Sequence, residues 1–138
     1  MKLYPSLTKF RKYFKIRKNK KVSSIINLQQ SYYGIKAKEA KLISDKFLDK
    51  LSLSLRRKLK RQGKIWFRCI PFISVTSKPL EVRMGKGKGN HSYWVYPLKK
   101  GQIFLEIIIK KNIILFEKIV RVLQKKLPFK FIVIKKRK

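Results

Sequence analysis

Residues 44 to 70 read SDKFLDKLSLSLRRKLKRQGKIWFRCI, and the change of rhythm inside that stretch decides the fold class. Ser44 is a favourable helix N-cap, and Asp45 puts a carboxylate in the first turn, where the helix dipole favours it. Ile43, Phe47, Leu48, Leu51, Leu55 and Leu59 recur at steps of one, three and four. At about 100° per residue they share one helix face, while Lys46, Asp49, Lys50, Arg56, Arg57 and Lys60 fall mostly outside it. The last turn is cationic, and Gly63 reads as the stop. Lys64 to Ile70 then has the make-up of a strand, with Cys69 a buried small hydrophobe within it and Pro71 ending it.

Working outward toward the C-terminus, Ile73 to Thr76, Tyr93 to Tyr96 and Gln102 to Ile109 read as further strands. The last two are joined through Pro97 and Gly101. A second helix is expected from about Ile113 to Lys126, capped by Asn112 and stopped by Pro128. Leu115, Phe116, Ile119, Val120, Val122, Leu123 and Leu127 cover one half of it, and Arg121, Gln124 and Lys125 the other. Phe129 to Ile134 makes a final strand before a basic tail from Lys135 to Lys138. Strands and two helices with hairpin-like connections indicate α+β, two helices laid on a largely antiparallel sheet. Trp66 and Trp94 fall in strands and read as core or sheet-face packing.

Toward the N-terminus the chemistry changes. Residues 1 to 38 hold eleven Lys or Arg and no acid, with Tyr4, Phe10, Tyr13, Phe14, Tyr32 and Tyr33 set among the charges. A basic, acid-free segment fits a mitochondrial transit peptide. It equally fits an RNA-clasping arm, with cations on phosphates and rings free to stack. The scarcity of Ser before residue 23 and the absence of Ala lean toward the arm. The expected organisation is a basic arm over residues 1–22 and one α+β domain over residues 23–138.

The whole chain repeats that imbalance: 138 residues carry 38 Lys or Arg against 6 Asp or Glu, a formal charge of +32. A compact body so charged repels itself, and a polyanion relieves the repulsion. Apolar residues at 44% argue against wholesale disorder. Cys69 and His91 are the only residues of their kinds, too few for a disulfide framework or a zinc site of several Cys and His ligands. No apolar run reaches the ~20 residues of a membrane-spanning helix; the longest, Ile103 to Ile109, is interrupted by Glu106.

The least ordinary segment is Arg83-Met84-Gly85-Lys86-Gly87-Lys88-Gly89-Asn90. It is no P-loop, since no Lys-Ser or Lys-Thr pair follows the glycines. Nor is it a dinucleotide fingerprint, because the glycines alternate and precede a strand. What remains is a loop whose glycine amides and cations can approach a phosphate backbone closely. Catalysis finds little support: Glu81 and Glu106 read as surface or salt-bridge residues, and His91 has no nucleophile and orienter around it. No catalytic residue, cofactor or metal is expected.

Lys60-Arg61-Gln62-Gly63-Lys64-Ile65-Trp66, followed by Lys78-Pro79-Leu80-Glu81-Val82-Arg83-Met84-Gly85-Lys86-Gly87-Lys88-Gly89, closely resembles the signature of ribosomal large-subunit protein sixteen, bacterial and organellar type. Thr8-Lys9-Phe10-Arg11-Lys12, Tyr33-Gly34-Ile35-Lys36-Ala37, Trp94-Val95, Gly101, Glu106 and Lys126-Leu127-Pro128 match in the expected order. Lys38-Glu39-Ala40-Lys41, Tyr13 to Ser31 and the chain beyond Phe129 depart from the pattern.

The resemblance implies a hammerhead-like α/β fold, non-enzymatic, bound to large-subunit rRNA near the central protuberance. It also implies help in positioning A-site tRNA near the peptidyl-transferase centre, with P-site tRNA and neighbouring large-subunit proteins as further partners and no membrane. The RNA-binding residues it implies are Lys9, Phe10, Arg11, Lys12, Lys60, Arg61, Lys64, Arg83, Met84, Gly85, Lys86, Gly87, Lys88, Gly89 and Asn90. In some bacterial relatives the arginine matching Arg83 is hydroxylated. The competing function is an RNA-processing or RNA-chaperone protein acting transiently on rRNA. Lys and Ile supply a third of the chain, and Ala occurs only at Ala37 and Ala40, as an AT-rich gene would give. With the divergent arm and the missing transit-like extension, this skew makes the mitochondrion the expected compartment. A plastid or a bacterial cytoplasm is the alternative.

Overall fold

The computed structural model describes residues 5, 8–14, 27–109 and 113–136. The elements run β1 (Tyr33–Ala37), β2 (Lys41–Ser44), α1 (Asp45–Leu59), β3 (Gly63–Phe67), β4 (Ile73–Ser77), β5 (Asn90–Leu98), β6 (Ile103–Ile109), α2 (Ile113–Lys126) and β7 (Phe131–Lys135). All strand pairs are antiparallel, and the class is α+β as expected. The strands divide into two sheets rather than one: β3-β6-β1-β7 and β2-β5-β4. Pro97 lies inside β5, opposite Leu42, and the turn through Gly101 leads from that sheet to β6 of the other. Gly101, at φ 81°, donates its N–H to the Ala37 carbonyl at 2.8 Å instead of closing a hairpin.

Helix α1 starts where its chemistry says it should. Ser44 is extended (φ −81°, ψ 153°), and its Oγ accepts from the Phe47 N–H at 3.3 Å. Leu48, Leu51, Leu55 and Leu59 are buried with Ser52. Ile43 is buried too, but it belongs to β2, opposite Tyr96, and not to the helix. The helix ends on Lys60 and Arg61, both left-handed (φ 44° and 66°), with the Lys60 N–H on the Arg56 carbonyl. Gly63 is not the stop. It opens β3, where an added Cβ would overlap the Ile108 carbonyl oxygen, so strand contact and not helix termination requires it.

β3 ends at Phe67, short of the expected Ile70, although the Arg68 N–H still reaches the Phe104 carbonyl at 3.0 Å. Cys69 thus lies past the strand, buried, with its Sγ 3.7 Å from the same carbonyl. Burial pushes its thiol pKa up to about 12. Burial also raises the Tyr96 pKa, against the lowering effect of its hydrogen bond with Gln102.

The main core lies on one face of the four-stranded sheet, where Ile35, Leu105 and Ile107 meet Leu48, Leu51 and Leu55 of α1 and Ile119 and Leu123 of α2. Tyr33 stacks on Phe116 at 4.2 Å, and the Lys126 Nζ donates to the Ser54 Oγ, tying α2 to β1 and α1. The expected cap Asn112 lies outside the described residues. Register in β6 slips at one point: Leu105 opposes Ile35 but Ile103 opposes Lys36, so Phe104 is an extra residue. Such a bulge re-aims side chains. Phe104 joins the core beside Phe67 and Phe129, while Ile103 falls on the other face with Gly34 and Glu106.

That second face holds a buried charge. Glu106 is 0% exposed, and Arg68 Nε meets its Oε1 at 2.9 Å. The carboxylate also accepts from the backbone N–H groups of Gln29 (3.4 Å) and Gln30 (2.8 Å) and from Ser31 Oγ (3.2 Å). Arg68 Nη1 donates in turn to Gln29 Oε1 at 2.6 Å. Leu28 lies over Gly34, where a Cβ would overlap its side chain. Glu106 is therefore the salt-bridge residue that its sequence position allowed and not a surface one. It fastens residues 28–31 across the sheet.

Candidate nucleic-acid interface

β4 and β5 form a hairpin whose connection is the loop 78–89. Val82 N–H donates to the Pro79 carbonyl at 3.3 Å, and Lys78 Nζ reaches back to the Gly85 carbonyl. Gly85, Lys86 and Gly87 have φ of 88°, 51° and 82° in succession, a left-handed run that glycine enters without strain at two of its three positions. A Cβ added at Gly85 or Gly87 would meet nothing within 4 Å. Gly89 differs: its φ is ordinary, and an added Cβ would overlap the carbonyl oxygen of Ser77. Two glycines shape the tip, and the third lets the loop press onto β4.

The loop is exposed, cationic and carries apolar side chains into solvent. Leu80 and Met84 are fully exposed (105% and 100%), and Arg83, Lys86 and Lys88 stand among them. The arm reaches this loop. Lys12 Nζ donates to the Lys88 carbonyl at 3.0 Å, and Lys88 Nζ donates to the Tyr13 carbonyl. The same ammonium lies 5.9 Å from the ring of Phe14, which is 96% exposed. Lys9 stands 5.7 Å over Phe10. Cations and rings from two distant stretches of sequence thus share one surface.

Of the residues expected to bind RNA, Lys9, Phe10, Arg11 and Lys12 lie on the arm, and Arg83 to Gly89 lie on the loop, with Asn90 opening β5 opposite Ser77. All are exposed except the half-buried Gly89. Lys60, Arg61 and Lys64 are exposed as well, but they belong to the α1–β3 turn and the edge strand β3 of the other sheet. Sequence reasoning missed the Arg68–Glu106–Gln29 network. The signal was present: one acid at the centre of an apolar strand demands a cation, and Arg68 is the one inside the apolar stretch before Pro71. Among the described residues no group of three His, Cys, Asp or Glu could hold a metal ion, and no helix is long and apolar enough to cross a membrane.

The class so defined is a strongly basic α+β protein with an exposed glycine–lysine hairpin loop and an aromatic, cationic arm beside it. The family described as ribosomal protein L16p/L10e matches residues 5–134, and the chain belongs to that family. Similar proteins include "Large ribosomal subunit protein uL16" of Sphingopyxis alaskensis, 42% identical over 105 residues, covering 76% of this chain and 73% of that protein. The protein of the same name from Mesorhizobium japonicum is also 42% identical, covering 76% and 77%. That of Phytoplasma mali is 36% identical over 135 residues, covering 97% and 96%. Family membership makes the chain a structural ribosomal component and not an enzyme.

Proposed function

We propose that this chain is a constituent of the large ribosomal subunit that binds large-subunit rRNA through the arm and the β4–β5 loop and helps position A-site tRNA near the peptidyl-transferase centre. P-site tRNA and neighbouring large-subunit proteins are further partners. The observation that carries the reading is the junction of Lys12, Tyr13 and Phe14 with Lys88. It builds one surface of cations, exposed rings and glycine amides, the chemistry that holds phosphates and stacks unpaired bases. Residues 1–22 act as an arm and residues 23–138 as the domain; the boundary between them lies outside the described residues. Lys60, Arg61 and Lys64 add a second contact, supported by their exposure beside the α1–β3 turn. The Lys–Ile skew supports a mitochondrial ribosome as the compartment, with plastid or bacterial cytoplasm as alternatives; the relatives named above are bacterial.

Crosslinking inside intact ribosomes tests this. Photoreactive groups at Lys9, Arg83 and Lys86 are expected to label large-subunit rRNA, and the loop positions to label A-site tRNA when it is present. Labelling of protein alone from all three positions would overturn the reading.

A further inference from the structure

The β4–β5 ladder contains a second slip. Val75 opposes Tyr93, but Thr76 opposes His91, so Ser92 is an extra residue in β5. In a regular strand, residues three apart point to opposite faces. The bulge cancels that alternation and puts His91 on the face of Trp94 and of Trp94's partner Ser74. The side chains meet there. Ser74 Oγ, on a residue only 5% exposed, lies 2.6 Å from His91 Nδ1, and the imidazole tilts against the Trp94 indole at 4.6 Å between centroids. His91 itself is exposed and directly follows Gly89 and Asn90. Its Nε2 has no partner among the described residues.

We infer that His91 is a further RNA contact, holding a single-stranded nucleotide through Nε2 while Ser74 and Trp94 orient its ring. The inference rests on the RNA-binding reading of this surface and extends it past the loop onto the sheet. Ser74 occupies Nδ1, so the ring presents one defined nitrogen outward; with the hydroxyl donating, that nitrogen carries the proton and is a donor. Trp94 fixes the ring plane, and such pre-positioned rings suit unstacked bases. His91 differs from the loop lysines in kind. A ring that adds one directed hydrogen bond displaces no counterion, so its loss should weaken binding without changing salt dependence. Ser74 is a positioning residue in this scheme.

The test uses the full chain and a single-stranded RNA oligonucleotide, with affinity measured across a salt series. His91→Ala is expected to weaken binding about tenfold, about 1.4 kcal/mol, at every salt concentration with the slope unchanged. Lys86→Ala is expected to lower the slope by about 0.7. Ser74→Ala should reproduce part of the His91→Ala loss, and Ser74→Thr, which keeps the hydroxyl, should restore it. Thermal melting of each variant separates these effects from loss of fold. Wild-type affinity in His91→Ala, or a loss that vanishes at high salt, overturns the inference alone. Failure of the wild-type chain to bind RNA would overturn the interface reading with it.

Discussion

At Glu106 a single carboxylate, wholly buried, gathers one guanidinium, two backbone N–H groups and a hydroxyl. At the β4–β5 loop the cations stand in solvent, and among the described residues Lys88 has only a carbonyl and a ring to meet. Arg83 and Lys86 have no side-chain partner among the described residues. The two regions lie on one chain of charge +32, yet they use charge oppositely. Where a charge serves the fold, the protein surrounds it with its own groups. Where it does not, the charge remains available to a ligand. Removing a charge should therefore be costly to stability in the first region and nearly free in the second.

The largest effect is expected at Glu106. Glu106→Ala strands Arg68, which is only 23% exposed, and releases the amides of Gln29 and Gln30. Breaking a buried pair from one side costs about 3–5 kcal/mol. Urea unfolding should show that loss, together with faster amide exchange at residues 28–31. Replacing both partners, Arg68→Met with Glu106→Leu, should recover much of the loss, because no unpaired charge is then buried. A loss below about 1 kcal/mol in the single variant would mean that the network is incidental.

The same contrast explains how much the sequence revealed. Leu48, Leu51, Leu55 and Leu59 announce α1 because a buried helix face has a period, and Ser44 marks its start. α2 and β3 to β6 follow from similar local signals. β1 and β2 did not, because Tyr33-Gly34-Ile35-Lys36-Ala37 and Lys41 to Ser44 are short and become strands through partners that local pattern does not name. Ile43 illustrates this: standing just before the N-cap, it fits the helical stripe as well as it fits β2. The split into two sheets, and the bulges at Phe104 and Ser92, are likewise properties of pairing. The cations and glycines of the site were legible as a list. Their meeting was not, since Lys12 and Lys88 are joined only by the fold.

A middle-sized effect should divide the loop's glycines, which read alike in sequence. Gly89→Ala drives a Cβ into the backbone of Ser77, at the rung where Ser77 faces Asn90. Overlap of that kind costs about 1–3 kcal/mol and should open the end of the ladder. Gly85→Ala meets open space and pays only for its φ of 88°, about 1 kcal/mol or less if the exposed tip relaxes. Thermal melts of the two variants side by side are the check. Equal losses would mean that the loop does not lean on β4.

The smallest effect on stability belongs to the loop cations. Arg83, Lys86 and Lys88 are exposed, and changing all three to Ala should alter unfolding by less than about 0.5 kcal/mol. The other 35 of 38 cations (38 minus these three) remain to hold the protein on RNA, so its occupancy in purified large subunits should be nearly unchanged. What should fall is A-site tRNA accommodation, read as the rate of peptide-bond formation by the mutant ribosomes. The single variants sharpen this further. Arg83→Ala and Lys86→Ala should each lower the salt slope of RNA binding by about 0.7, because neither side chain has a partner among the described residues and each can neutralise a phosphate. Lys88→Ala should lower it less, since that ammonium already sits on the Tyr13 carbonyl and the Phe14 ring, and its loss should instead release the arm. Normal peptide-bond formation by fully occupied triple-mutant subunits would reduce the loop to a solvated hairpin tip, and the contrast with Glu106 would then be one of burial alone.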